Sequence, residues 1–377
     1  MGNRIRTIAI LFIMGLFLLL AIGGCRYSKE SGVVSCLSGD LFATELDRSL
    51  QSSFAIIDQV CNPTVVTFTL SAAGDVTLGN AQVQGYAGTF REMYDTKDPS
   101  YFFQNVKSIF EADDMTLVNF EGTLTTSDNR VIKTFNLKGD PSYAGILNEG
   151  SIETVSLGNN HHMDYGQQGH DDTVAALTGV GVEYAFDTKL GYYEKNGIRV
   201  GYVSVSWIDD RETVKTYLKD GIQQLQEEGM DLIICCCHWG IERNHTIESY
   251  QQELGRSCID WGADLVLGCH PHVLQGIECY NGKYIVYSLG NFCFGGNTNP
   301  SDKNTMIFQQ TFTFANGTLK TDDNITVIPC TLSSVDSRND YQPTPASGER
   351  AQTILTLLNQ YSSDFGLSFD SEGHVIR

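Results

Sequence analysis

From Thr64 onward the chain alternates short apolar runs with glycine-rich or polar breaks and with stretches of helical spacing. The runs "VVTFTL" (65–70), "MTLVNF" (115–120), "ETVSL" (153–157), "IRVGYVSVS" (198–206), "DLIICCC" (231–237) and "ADLVLG" (263–268) have the length and β-branched content of strands. Between them, "TVKTYLKDGIQQLQEEG" (213–229) and "IESYQQELGRSCIDWG" (247–262) repeat apolar residues three or four apart, as an amphipathic helix does. Strands alternating with helices of this length predict a layered α/β domain. Further on, "GIECYNGKYIVYSLGNF" sets Asn281-Gly282 between alternating apolar positions, a type I′ hairpin signature, and "QQTFTFANGTLKT" does the same with Asn316-Gly317. A last helical pattern, "RAQTILTLLNQY", lies in the tail.

The same pattern divides the chain. Ile8 to Ile22 is uninterrupted apolar sequence behind Arg4 and Arg6, and it ends in Gly23, Gly24 and Cys25. At 1.5 Å per residue this run falls short of a hydrocarbon core of about 30 Å, so it reads as a signal-peptide core. Small residues followed by Cys resemble a bacterial lipobox, with Cys25 as the lipidated residue. An uncleaved membrane anchor is the other reading. Both attach the protein to the cell membrane through its N-terminus and place the rest on the extracytoplasmic face. The expected organisation is a leader or anchor at 1–25, a polar spacer at 26–61, the main domain at 62–332 and a C-terminal extension at 333–377.

Composition narrows the partners. The 25 Lys+Arg against 45 Asp+Glu leave a net charge of −20, which argues against nucleic acid, whose backbone needs a basic footprint. Cys235, Cys236 and Cys237 sit in a buried-strand pattern where alternate side chains face opposite ways, so they read as small apolar core residues rather than a shared zinc site. Cys36 and Cys61 flank the entrance to the domain as a candidate pair.

The candidate chemistry collects where apolar runs end. Asp75 follows Gly74; Asn119 and Glu121 close the next run; Asn159, Asn160, His161 and Asp164 follow "VSLG"; His238 and Glu242 follow "ICCC"; His270 and His272 flank a proline after "VLGC". In open α/β folds, ligands bind beyond the carboxyl ends of the strands, so residues 75 to 272 can converge on one crevice. Oxygen donors mixed with imidazoles suit Mn, Zn or Fe rather than calcium. The set is large enough for one or two ions. Such a centre supports hydrolysis of an ester, phosphoester or amide.

In these residues the sequence resembles the CapA, or poly-γ-glutamate capsule biosynthesis, family, a branch with a calcineurin-like metallophosphatase fold. The matching stretches, in family order, are "GDVTLG" (74–79), "NFEGTL" (119–124), "NNHHMDYG" (159–166), "HWGIE" (238–242), "GCHPHVLQG" (268–276) and "YSLGNF" (287–292). The resemblance implies an α/β sheet sandwich flanked by helices. It implies that Asp75 and His272 bind a first metal, that Glu121 bridges, and that Asn160, His238 and His270 bind a second. His161 would be the general acid or the phosphate contact, with Asp164 and Asn119 orienting their neighbours, and Asn291 and Glu242 as polar contacts beside the site. It also implies work on an anionic cell-envelope polymer such as poly-γ-glutamate, with membrane-bound polymer-synthase subunits as further partners. The sequence departs from the wider pattern at Thr77, where a histidine is usual, at Glu121, where an Asp is usual, and in lacking a Gly-Asp-x-x-Asp run. The resemblance therefore implies either a metal-dependent hydrolase with a first metal site short of ligands, or a non-catalytic polymer-binding or synthase-accessory subunit.

Overall fold

The computed structural model describes residues 25–27, 34–36, 48, 51–52, 64–208, 211–320 and 324–376. Residues 1–24, most of 26–61, and Cys61 of the suggested Cys36–Cys61 pair lie outside the described residues. The chain forms two compact units, Met1–Val66 with Ala315–Gly317, and Thr67–Phe314 with Thr318–Arg377. In the first, Cys25–Tyr27 pairs antiparallel with Val34–Cys36, and the Thr64 amide donates to Asn316 Oδ1 at 2.9 Å.

The second unit is mixed α/β, built on two large sheets with helices outside them. In the first sheet β1 (Val65–Thr77), β2 (Met115–Phe120), β3 (Thr154–Ser156) and β4 (Glu183–Ala185) run parallel, side by side. The second sheet has the order β5 (Gly191–Lys195), β6 (Ile198–Ser206), β7 (Leu232–His238), β8 (Leu265–Cys269), β10 (Lys283–Val286), β9 (Ile277–Tyr280), parallel except at its edges. Every residue of β2, β7 and β8 is buried. Parallel strands covered on both faces read this way, as continuous apolar runs.

The sheets meet face to face. Ser156 Oγ of β3 lies 2.7 Å from Ser204 Oγ of β6, and the Tyr202 hydroxyl donates to the Val155 carbonyl at 3.3 Å. Cys236 points between the sheets, toward Ser156, whereas Cys235 and Cys237 point the other way, into the helices. All three are buried free thiols, as their alternation in the strand requires. Those helices are α1 (Arg211–Glu227) and α2 (Ser249–Trp261). Helix α1 buries Leu218, Ile222 and Leu225, one face at helical spacing. Helix α2 starts with a Glu248/Gln251 capping box and stops at Gly262, whose φ of 117° favours glycine. Asn281 (φ 51°) and Gly282 (φ 78°) make the expected tight turn between β9 and β10.

Strand β1 runs on to Thr77, past the expected end at Leu70. The added residues "SAAGDVT" have little strand propensity of their own, but β2 pairs with them through Val76. Pairing inside a sheet outweighs intrinsic preference. Residues 333–376 pack into the same unit: Tyr341 is fully buried and donates to the Gly88 carbonyl at 2.8 Å, and Ser362 Oγ accepts from the Ile277 amide.

Candidate metal centre

The centre begins with a close approach of two backbones. At Gly74 the pairing of β1 with β2 shifts register, and a Cβ there would lie 1.8 Å from the Gly290 carbonyl oxygen. Only glycine lets β11 (Asn291–Phe294) come alongside. The Asp75 amide then donates to the Gly290 carbonyl at 2.9 Å. Asp75 stands opposite Asn119 on one side and Asn291 on the other.

These neighbours hold their partners. Asn119 Nδ2 donates to Asp75 Oδ1 at 2.8 Å. Asn291 Nδ2 donates to the His272 carbonyl, and its Oδ1 lies 2.9 Å from His272 Nδ1. That ring nitrogen is also 3.1 Å from Asp75 Oδ2. Among the described residues neither carboxylate oxygen of the fully buried Glu121 has a hydrogen-bond partner, and Asp75 Oδ2 faces the His272 ring nitrogen across 3.1 Å. Buried carboxylate oxygens are costly unless paired or bound to a cation. One atom each of Asp75, Glu121 and His272 lies within 4.8 Å of the others, so the three can hold a metal ion. Burial opposes charge on His272, but Glu121 and Asp75 lift it to about 10. The two acids thus favour positive charge at this position, which a bound cation would supply in place of the ring proton. Glu121 is held well above the usual carboxylate range, first by burial and then by Asp75 beside it.

A second donor set adjoins the first. His238, the last residue of β7, places Nε2 2.8 Å from Asn160 Oδ1 and 3.1 Å from His270 Nδ1. Burial, reinforced by the other histidines, keeps His238 well below its ordinary range and His270 down at about 4. Both are therefore neutral imidazoles, the form that ligates metals. Glu121 Oε1 lies between the groups, 3.8 Å from His238 Nε2, 3.9 Å from His272 Nε2 and 3.7 Å from His161 Nε2. His270 (φ 96°) and His272 (φ 59°) both occupy the left-handed region around Pro271. Non-glycine residues held there store strain that the surroundings must maintain, as at ligand clamps.

His161 stands at the mouth. Its Nδ1 is 2.7 Å from Asp164 Oδ2, and Asp164 also accepts from Lys133 Nζ at 2.6 Å and from the Leu137 amide at 2.5 Å. Lys133 Nζ further donates to the Asn160 carbonyl at 2.9 Å. Asn159 fixes the loop from beneath, donating to the Phe120 carbonyl and accepting from the His161 amide. A cleft of 340 Å³ opens here, lined by His161, His272 and Asn291, with Phe135 and Phe294 as apolar walls and Glu242 exposed at its side. Thr77 gives nothing to the centre, for its hydroxyl donates to the Glu121 carbonyl at 2.8 Å.

The structure thus brings Asp75, Asn119, Glu121, Asn160, His161, Asp164, His238, His270, His272 and Asn291 into one place, and sets Glu242 on the open side of the cleft. Sequence reasoning missed Lys133 and Phe135. Both lie in "RVIKTF" (130–135), an unpatterned loop whose one signal was its place between two motif-bearing segments.

Fold and site together define an α/β sandwich protein with a carboxylate–imidazole centre at its strand ends. The chain belongs to the family described as bacterial capsule synthesis protein PGA_cap, whose model matches residues 69–296. It is 29% identical over 245 residues to the PGA biosynthesis protein CapA of Bacillus subtilis (strain 168), covering 59% of this chain and 62% of that one. It is 25% identical over 252 residues to the capsule biosynthesis protein CapA of Bacillus anthracis, covering 60% and 59%. The chain thus spans about three-fifths of the length of these relatives. A probable polyglutamine synthesis accessory protein of Mycobacterium tuberculosis is 27% identical over 210 residues, 48% of this chain and 55% of that one. Among solved structures, a hypothetical protein from Thermus thermophilus matches with a TM-score of 0.44 at 15% identity, covering 70% of this chain and 98% of that one. The 5'-nucleotidase from Candida albicans matches at 0.39 and 12%, covering 80% and 58%.

Proposed function

We propose that this protein is a divalent-metal-dependent hydrolase that cuts a phosphoester or amide bond in an anionic capsule-type polymer, at the extracytoplasmic face of the membrane. The observation that carries the reading is the buried Glu121 carboxylate, neither oxygen hydrogen-bonded among the described residues, beside Asp75 and His272. The names of the Bacillus relatives point to poly-γ-glutamate as the polymer. The apolar run behind Arg4 and Arg6 points to attachment through the N-terminus, with Cys25 as the lipidated residue.

Asp75, Glu121 and His272 would hold one ion; Asn160, His238 and His270, with Glu121 shared, a second. Bound ions would supply polarisation of the scissile bond and neutralise charge that develops on it. His161 holds a proton near the reacting bond, and Asp164 fixes the ring so that Nε2 faces the centre. Asn119 and Asn291 orient Asp75 and His272. Phe135 and Phe294 give the cleft its apolar walls. A second reading, a non-catalytic polymer-binding or synthase-accessory subunit that needs no metal, is favoured by Thr77, whose hydroxyl is spent on the backbone.

Metal analysis of the full-length chain beside Asp75→Asn and His270→Ala, together with poly-γ-glutamate and phosphodiester cleavage by wild type and His161→Gln, tests the reading. Metal in the wild type, lost in the first two variants, with cleavage abolished in His161→Gln, is the expected outcome. A wild type without metal overturns the hydrolase reading, as does metal without cleavage of either substrate, and both outcomes leave the accessory reading.

A further inference from the structure

The metal-side cleft is not the largest in the molecule. A cleft of 790 Å³ opens across the short strand Leu137–Gly139. Leu137 lines the metal-side cleft, and Lys138 and Gly139 line the larger one. The two clefts share walls elsewhere too: Gln84 of the larger donates to the carbonyl of Gly296 in the smaller, at 3.0 Å. None of the metal-centre residues lines the larger cleft.

Its chemistry differs from that of a polyanion site. Tyr94, Tyr143 and Tyr165 line it; Tyr143 and Tyr165 are buried, and the Tyr94 and Tyr143 rings lie 4.0 Å apart. Tyr94 is only half-buried and offers ring surface to the cleft. Each of two cations is matched by an acid on the same wall: Lys138 Nζ lies 2.9 Å from Asp128, and Arg91 Nε lies 3.8 Å from Asp95. The remaining charged pair is Arg130, exposed and without an ion pair among the described residues, and Asp140, whose Oδ1 accepts from Ser142. Cations and acids therefore cancel in number, and the cleft offers no net field to a chain of carboxylates. It offers donors, acceptors and aromatic surface in one concavity of the size that small-molecule sites have.

We infer that this cleft binds a neutral, hydroxyl-rich glycan segment. A sugar ring presents adjacent hydroxyls that both donate and accept, which paired Arg and Asp side chains satisfy, and an apolar C–H face that packs on an aromatic ring. Neither demand requires net charge. The ligand is thus of a different class from the polymer assigned to the metal centre, and its binding needs no metal.

Isothermal titration of the full-length chain in detergent, with cellohexaose, maltohexaose and the hexamer of N-acetylglucosamine, tests the assignment. Poly-γ-glutamate of similar length serves as the comparison. At least one neutral oligosaccharide is expected to bind, and Tyr94→Ala and Arg130→Ala are each expected to weaken it about tenfold, the effect of losing one strong contact. His270→Ala, which tests the metal centre, is expected to leave that affinity unchanged. Arg130 is exposed, so its substitution reads binding even if Tyr94→Ala disturbs the packing of Tyr143. The inference is overturned if none of the three sugars binds, if binding survives Arg130→Ala unchanged, or if poly-γ-glutamate alone binds and Arg130→Ala weakens it.

Discussion

His161 Nδ1 lies 2.7 Å from Asp164 Oδ2, and this contact turns the opposite ring nitrogen toward Glu121, 3.7 Å away. Asp164 is more than a partner for the ring, since it also takes the Leu137 amide and the Lys133 ammonium. The two residues should therefore respond differently to substitution. His161→Gln should keep the fold and the bound metal while cleavage is lost. Asp164→Ala should lose cleavage and also about 2–4 kcal/mol of stability, because it leaves the buried Leu137 amide unpaired and the Lys133 ammonium without its counter-charge. Urea unfolding of both variants, set beside their metal content, checks this.

The carboxylates of Asp75 and Glu121 oppose each other in the absence of a cation. Glu121→Gln should raise the melting temperature in chelator, because burial and Asp75 oppose ionisation of Glu121 in the fold while the unfolded chain ionises it freely. The same variant should lose the stabilisation expected of an added divalent cation in the wild type, about 2.7 kcal/mol at a hundredfold excess over Kd. Melting curves with and without metal decide; a rise in neither condition refutes the account.

Backbone approach at Gly74 makes a sharper structural test. Gly74→Ala would force a Cβ to within 1.8 Å of the Gly290 oxygen, and should cost about 3 kcal/mol or more. It should also lower metal occupancy, since Asp75 and Asn291 would part. Gly85→Ala, where a Cβ meets nothing within 4 Å, should change neither. Denaturant unfolding and metal analysis on the two variants give the comparison.

Away from the centre, burial pushes the Asp113 carboxyl up to about 7, against the lowering effect of hydrogen bonds from Ser71 and Thr116. The folded state therefore binds this proton more tightly than the unfolded chain, whose value is 3.8. Its contribution is fully present below that value and is lost as pH rises through about 7. Asp113→Asn should melt higher than wild type at pH 8, and the difference should shrink toward pH 5. Calorimetry across that range would show an unchanged difference if the carboxyl were not buried as a neutral acid.

Much of the architecture was legible because buried parallel strands are written as uninterrupted apolar runs. Met115–Phe120 and Ile198–Ser206 have the bounds that the pattern gave them. The extension of β1 beyond Leu70 was not legible, since its small residues are strand only because neighbours pair with them. His270 and His272 stood out as two imidazoles around a proline after a buried run. Lys133 did not, because a lysine in a loop acquires a role only from the path of that loop, which brings its ammonium to Asp164. The tail resisted for the same reason: Tyr341 is buried against residues far away in the chain, and no local periodicity encodes that.

The seam between Gly74 and Gly290 also bears on how the molecule matures. Asp75 belongs to one of the first strands of the main unit to be synthesised, yet the backbone and side chain that complete its surroundings come from Gly290 and Asn291. Closure of so distant a pair is slow compared with local turns and helices. A nascent or truncated chain that stops before Asn291 would carry Asp75, Glu121 and His238 without the seam that aligns them. Metal capture should accordingly be a late event, and a chain arrested upstream of that point should take up none, however many of its ligands have already been made.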